Sequence, residues 1–320
     1  MTPNARGALL ALLAFAVYAT HDVFVKILGG IYSPIQLVFF SVLFSFPLAT
    51  LMMMRDATPG TLLPVHPWWV AARTAATVVT GMTAFYAFSV LPLAQTYAIL
   101  FTSPLLITIL AIPVLGEKVR IRRWLAVIVG LIGVLIVLRP GETELGLGHL
   151  AAIAAAVCGS FASIVVRKIG NDERPVVILL YPMVANFMVM GSMLWLVYEP
   201  MPIEHIGMVA VIALFAWIGG RTIISAYRTG EAVIVAPMQY SQILWAILFG
   251  FLFFDESIDV ATGLGSAVII GSGLYIVLRE GRSTASANRP VLETRSRTET
   301  GTSLRVGFFL KRAQFDKEGE

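Results

Sequence analysis

Residues 115–117 read Leu-Gly-Glu and 133–139 read Gly-Val-Leu-Ile-Val-Leu-Arg; residues 254–256 read Phe-Asp-Glu and 273–279 read Gly-Leu-Tyr-Ile-Val-Leu-Arg. The second pair repeats the first at an offset of 139 to 140 positions. The amino-terminal parts of the two copies match as well, since Gly7, Lys26 and Pro34 align with Gly148, Arg167 and Pro175 at an offset of 141. The chain is one unit written twice.

What each unit contains follows from composition. Of 320 residues, 58% are hydrophobic and 13% charged, and the mean hydropathy is +0.83. A soluble protein carries about a quarter charged residues. Here 14 of the 42 charged side chains crowd into residues 280–320, so the rest of the chain is poorer still. An ordinary water-soluble enzyme is excluded. A bilayer core takes about 20 apolar residues per helix. Runs of that length stand at 7–27, 34–54, 67–89, 92–115, 122–138, 147–166, 176–197, 206–227, 232–253 and 260–278. Ser33-Pro34, Leu91-Pro92 and Arg174-Pro175 place proline near a first helical turn, where its missing N–H costs nothing. The first run reads as a retained helix rather than a cleaved signal.

The reading is an all-α polytopic membrane protein of ten transmembrane helices in two five-helix repeats, 1–141 and 142–279. A polar tail, 280–320, reads as disordered. Its apolar patch Val306-Gly307-Phe308-Phe309-Leu310, beside Lys311 and Arg312, reads as an unstructured end or a membrane-surface contact. Because five is odd, the second repeat enters the membrane from the opposite side, and Glu117 and Glu256 face opposite compartments. If the N-terminus is cytoplasmic, the inner loops hold eleven Lys and Arg (Arg6, Arg55, Lys118, Arg120, Arg122, Arg123, Arg167, Lys168, Arg174, Arg228 and Arg279), against Lys26 and Arg139 outside. The positive-inside rule therefore puts both termini in the cytoplasm. The net charge of +4 is this loop bias, and it gives no reason to expect a nucleic-acid partner. One cysteine, Cys158, and four scattered histidines (His21, His66, His149 and His205) offer neither a disulfide nor a zinc motif, so no metal or cofactor is expected.

Two similar halves with inside and outside exchanged permit two mirrored conformations around a midplane site, which is the mechanics of alternating access. A pore would need a ring of like residues that these repeats do not supply. An intramembrane lipid-modifying enzyme would need a cluster of acids, yet Asp22 is the only carboxylate well inside a run.

The stretches ending Pro104 to Glu117 and Ile243 to Glu256 resemble the paired EamA domains of the drug/metabolite transporter superfamily, over about residues 7 to 279. That resemblance implies a ten-helix carrier of small organic metabolites in a bacterial inner membrane, with the fourth and ninth helices beside the substrate path. His21-Asp22-Val23-Phe24-Val25-Lys26, Arg73 with Gly81-Met82-Thr83, and Ala236-Pro237-Met238-Gln239-Tyr240 are similar to the subgroup of S-adenosylmethionine uptake carriers. Riboflavin, amino-acid and drug carriers share much of the same pattern. Many such relatives carry an arginine in helix two, where this chain has Ser41, so an anionic substrate group would need another partner. The resemblance is compatible with a coupling proton and with a homodimer.

Polar groups inside apolar runs are candidate sites, because hydrocarbon penalises them. His21, Asp22 and Lys26 lie toward the outer end of helix one. Asp22 and Lys26, four apart, suit a substrate contact, a proton-coupling carboxylate, or an internal ion pair with Lys26 snorkelling outward. Tyr97, Thr102 and Ser103 in helix four mirror Gln239, Tyr240, Ser241 and Gln242 in helix nine. These two clusters suit a midplane binding site or helix-to-helix hydrogen bonds. Arg73 and Arg221, each near an inner helix end, suit gating or simple snorkelling. Trp68, Trp69, Trp124 and Trp195 read as an interfacial belt. Gly130 with Gly133, and Gly271 with Gly273, read as close-packing positions. Glu117 and Glu256 read as caps or hinges.

Overall fold

Proline marks where several helices begin. Pro34, Pro67 and Pro175 each stand at a first helical position, and Pro92 directly precedes a helix. The computed structural model describes residues 3–54, 61–116, 121–139, 145–170, 172–230 and 235–282. The expectations for Glu117, for the repeat boundary at 141/142 and for the tail from 283 onward lie outside the described residues. Every element described is helical: α1 (Pro3–Gly29), α2 (Pro34–Met54), α3 (Pro67–Val90), α4 (Leu93–Leu100), α5 (Ser103–Leu115), α6 (Ile121–Leu138), α7 (Leu147–Ile169), α8 (Pro175–Val197), α9 (Ile203–Thr229), α10 (Ser241–Phe254) and α11 (Val260–Arg282), with a 3-10 turn at Ala236–Tyr240 before α10. Among the described residues, seven helical spans are long and apolar enough to cross a membrane, and Trp124–Leu138 and Val260–Tyr275 are apolar but shorter. This is a multi-pass membrane protein.

The fourth and ninth runs depart from the expected continuous helices. Pro104 has no N–H for the Leu100 carbonyl four residues back, and the chain tightens through Phe101 and Thr102 between α4 and α5. Side chains take over the carbonyls there: Thr102 Oγ1 donates to Ile99 O at 2.8 Å and Ser103 Oγ to Leu100 O at 2.7 Å. Pro237 stands in the corresponding 3-10 turn before α10. Lipid offers no alternative partners, so such internal repairs are what permit a break at this depth.

The packing pattern exchanges the two repeats. α1 lies along α9, just as α7 lies along α3; α2 meets α9 as α8 meets α3; α10 meets α1 as α5 meets α7. α2 with α8, α6 with α11 and α4 with α10 pair across the centre of this exchange. In α6 with α11 and in α2 with α8 the equivalent helices run antiparallel. Along α6 and α11, Gly130 approaches Ser272, Gly133 approaches Ile269 and Gly265, and Gly265 approaches Val137. Along α2 and α8, Phe39 approaches Gly191 and Phe46 packs edge-on to Phe187.

Glycine permits the closest of these approaches. A Cβ on Gly133 would come 2.9 Å from the Gly265 carbonyl, and one on Gly7 would come 2.7 Å from the Gly230 backbone, where α1 meets the end of α9. Gly271 differs from the expectation, because it faces open space. The main core gathers residues of most of these helices, among them Leu28, Leu37, Phe88, Tyr97, Ile212, Tyr240 and Ile269.

Candidate functional site

α1 carries the charged end of the site. Asp22 is 2% exposed, and both of its oxygens are engaged: His21 Nδ1 lies 2.8 Å from Oδ1, and the Tyr97 hydroxyl of α4 donates to Oδ2. His21 also meets Phe85 of α3 edge-on, with ring centroids 6.2 Å apart. Successive rings then lead away from Asp22. Phe88 and Phe101 flank Tyr97, and Phe101 meets Tyr240 of the second repeat edge-on at 5.3 Å. Thus Asp22, Tyr97 and Tyr240, three of the residues singled out from sequence, stand in one chain of contacts that crosses between the repeats.

Lys26 corrects the expectation of a pair within α1. Its ammonium lies 2.6 Å from Glu256 Oε1, donates to the Leu91 carbonyl at 2.5 Å, and sits 5.2 Å from the Phe254 ring centroid. It does not snorkel, because an acid of the other repeat stands within reach while Asp22 is taken up by His21 and Tyr97. Glu256 Oε2 in turn accepts the Leu93 N–H at 2.9 Å, at the first residue of α4. The left-handed backbone of Asp255 (φ 52°), just after α10, brings Glu256 round to this position. Glu256 therefore does more than cap its own helix: it ties α10 to the ends of α1 and α3 and the start of α4. On the same face, Tyr32 Oη meets His205 Nδ1 at 2.7 Å, the Gln36 amide pairs twice with the Glu199 backbone, and Arg139 pairs with Asp259.

The cluster at α10 differs in kind from the one at α5. Thr102 and Ser103 spend their hydroxyls on carbonyls three residues back, at the end of α4. The Ser103 carbonyl does accept Ser160 Oγ of α7 at 3.3 Å. Ser241 Oγ and Gln242 Nε2, by contrast, are buried atoms with no hydrogen-bond partner among the described residues, and the buried Tyr240 hydroxyl has the Gln239 side chain beside it. Gln242 lies with Ala246 and Gly250 on the buried face of α10, and the Tyr240 hydroxyl is aimed at Gly273 of α11. Gln239 is half-buried on the 3-10 turn. An unpaired buried polar atom costs about 1–3 kcal/mol, so the adjacent Ser241 and Gln242 mark a place where a ligand's polar groups would be welcome.

The two arginines stand apart from this centre. Arg73, 3% exposed, donates from Nη1 to the Ile178 carbonyl of α8 at 2.6 Å. Pro182 lies four residues on and has no N–H for that carbonyl, so the guanidinium repairs a proline break. Arg221 is exposed and places its Cζ 5.1 Å from the Trp217 ring centroid.

Sequence reasoning missed the pairing of Glu256 with Lys26 and the partner of Arg73. Glu256 was visible as a repeat marker, and Pro182 as a proline inside an apolar run. Neither pairing has a local sequence signal, because the partners come from different helices.

The model of the EamA-like transporter family matches residues 5–139 and again 146–279. The chain belongs to the EamA-like transporter family. Within reach of this EamA chain are proteins named as transporters. An uncharacterized transporter of Helicobacter pylori strain J99 is 26% identical over 285 residues, covering 85% of this chain and 94% of that one. An S-adenosylmethionine uptake transporter of Rickettsia prowazekii is 24% identical, over 86% and 93% of the two chains. A riboflavin transporter of Rhizobium johnstonii is 26% identical, over 76% and 79%. A solved crystal structure superposes with a TM-score of 0.59 over 88% of this EamA chain and 99% of that chain, at 18% identity, a likeness of fold alone.

Proposed function

We propose that this EamA protein is a secondary-active carrier, not an enzyme, which moves a small organic metabolite across the cytoplasmic membrane of a bacterium by alternating access. In this reading all ten helical segments span the bilayer as two inverted repeats, 1–141 and 142–279, with both termini cytoplasmic as the loop charges require. The observation that carries it is the contact chain from Asp22 through Tyr97 and Phe101 to Tyr240. It crosses the repeat interface at the two broken helices, beside the unpartnered Ser241 and Gln242. Rings, an amide and one carboxylate suit a planar, hydrogen-bonding metabolite with a positive centre. The naming of relatives as S-adenosylmethionine uptake transporters supports a substrate of that chemistry.

In this reading the cluster of Lys26, Glu256 and the Leu91 and Leu93 backbone closes the outer end, and the site is reached from the cytoplasm. Opening outward separates Glu256 from Lys26. A riboflavin-like substrate is the second reading, favoured by the unpartnered atoms of Ser241 and Gln242 beside the Tyr240 ring and by the names of other relatives. Uptake of labelled S-adenosylmethionine and of labelled riboflavin into proteoliposomes tests both. Saturable uptake of one, lost in Gln242→Ala without a change in melting temperature, is expected. Uptake linear in concentration, or chemical conversion of the probe, contradicts the carrier reading.

A further inference from the structure

The hydrogen-bond pattern around Asp22 fixes where an exchangeable proton can enter. One hydrogen lies between His21 Nδ1 and Asp22 Oδ1, which are 2.8 Å apart. The Tyr97 hydroxyl donates to the other oxygen. In the unloaded arrangement the ionised carboxylate accepts from both neighbours and the imidazole is neutral, with Nε2 bearing a lone pair. A second proton added to this arrangement, with both hydrogen bonds kept, goes to Nε2. That holds whether the shared hydrogen then sits nearer nitrogen or oxygen, since either microstate carries Nε2–H and the same total charge. Nε2 makes no hydrogen bond to the described residues, and the His21 side chain is 13% exposed whereas that of Asp22 is 4% exposed. The imidazole is the more open end of the pair.

We infer that the His21–Asp22 pair is the proton-binding site of this carrier, loaded and unloaded at His21 Nε2, with Asp22 and Tyr97 as positioning residues that hold the ring. The inference rests on the carrier reading above and deepens it. The acid singled out from sequence is thereby recast as the anchor of the proton carrier. A histidine held through Nδ1 by a carboxylate has its ring orientation fixed, and its second nitrogen is presented to the reacting partner.

The surroundings leave few competitors. On α1, Lys26 lies one turn outward and is paired with Glu256. On α4 the ionisable group is Tyr97. α3 presents Phe85 to the ring. On α9, Arg221 lies over Trp217, and the turn before α10 contributes Tyr240. Tyr97 belongs to the first repeat and rests, through Phe101, on Tyr240 of the second. Movement of the repeats therefore changes the support of Asp22, which couples proton loading to the conformational cycle.

Histidine-selective 15N NMR of the purified full chain tests this without a substrate, with His21→Gln identifying the signal among the four histidines. The expected result is a His21 Nε2 signal that moves from the unprotonated to the protonated range as the pH is lowered, while Nδ1 stays hydrogen-bonded throughout. Tyr97→Phe should move the midpoint without removing the transition. A His21 Nε2 that holds its state across the titration overturns the proposal.

In proteoliposomes, one proton per cycle sustains up to about tenfold accumulation per pH unit. His21→Gln should lose gradient-driven accumulation of S-adenosylmethionine or riboflavin and keep exchange of that probe. Wild-type accumulation in His21→Gln overturns the proposal and leaves the carrier reading standing. Should neither probe be taken up by the wild type, the substrates named above are wrong, and the NMR titration still decides the proton site.

Discussion

At the scale of the residue, glycine separates what a pattern can say from what packing decides. Gly271 and Gly273 look alike in sequence, two positions apart in the same helix. In the structure Gly271 faces open space, whereas a Cβ on Gly273 would collide with the Tyr240 hydroxyl. A glycine inside a helix costs about 0.5–1 kcal/mol relative to alanine, and overpacking a filled site costs about 1–3 kcal/mol. Gly271→Ala should therefore leave the melting temperature unchanged or raise it, and Gly273→Ala should lower it, as read by thermal unfolding in detergent. The same collision should push the Tyr240 ring toward Phe101, so Gly273→Ala should also impair uptake, and Gly271→Ala should not. Polar side chains were legible to a similar degree. Asp22, His21, Tyr97, Tyr240 and Gln242 stand out as costly in an apolar run, but their partners do not. Lys26 is the clearest case: its nearest acid in sequence is Asp22, and its partner is Glu256, 230 positions away.

At the scale of the element, most helix boundaries followed directly from run length and from proline at the first turn. The ends of α2 and α3 fell within a residue of the sequence reading. The broken fourth and ninth helices did not, although Pro104 and Pro237 were the signal. Proline inside an apolar run is compatible with a continuous helix, a kink or a 3-10 turn, and the choice depends on which side chain can serve the orphaned carbonyl. Ser103 does so for Leu100, and Arg73 does so from another helix for Ile178. A double-mutant cycle tests the second case. Arg73→Leu leaves the Ile178 carbonyl without that donor, a loss of about 1–3 kcal/mol for a buried group. Pro182→Ala restores an N–H to it. The destabilisation caused by Arg73→Leu should therefore be smaller in the Pro182→Ala background, by about 1 kcal/mol, a coupling typical of groups in direct contact. Strict additivity of the two changes in denaturation would mean that Arg73 has no part in repairing α8.

At the scale of the whole molecule, the repeat offset carried the architecture, and the exchange of helix pairs, α1 on α9 with α7 on α3, is its three-dimensional counterpart. The sequence could not say which of two mirrored conformations the chain adopts, because a repeat is equally compatible with both. In the structure Lys26 pairs with Glu256, and in the proposed reading that pair closes the outer end. The central claim is that the site between the broken helices is reached from each side in turn. Its most direct measurement is the labelling of a single cysteine at Ser241, in a Cys158→Ser background, by a membrane-impermeant thiol reagent in sealed vesicles of each orientation. The account predicts labelling from both sides, faster from the cytoplasmic side. Glu256→Gln should raise the exterior rate about tenfold, the effect of losing about 1.4 kcal/mol from the closed state, and lower the cytoplasmic rate. Labelling from one side only, with both rates indifferent to Glu256→Gln, would contradict it.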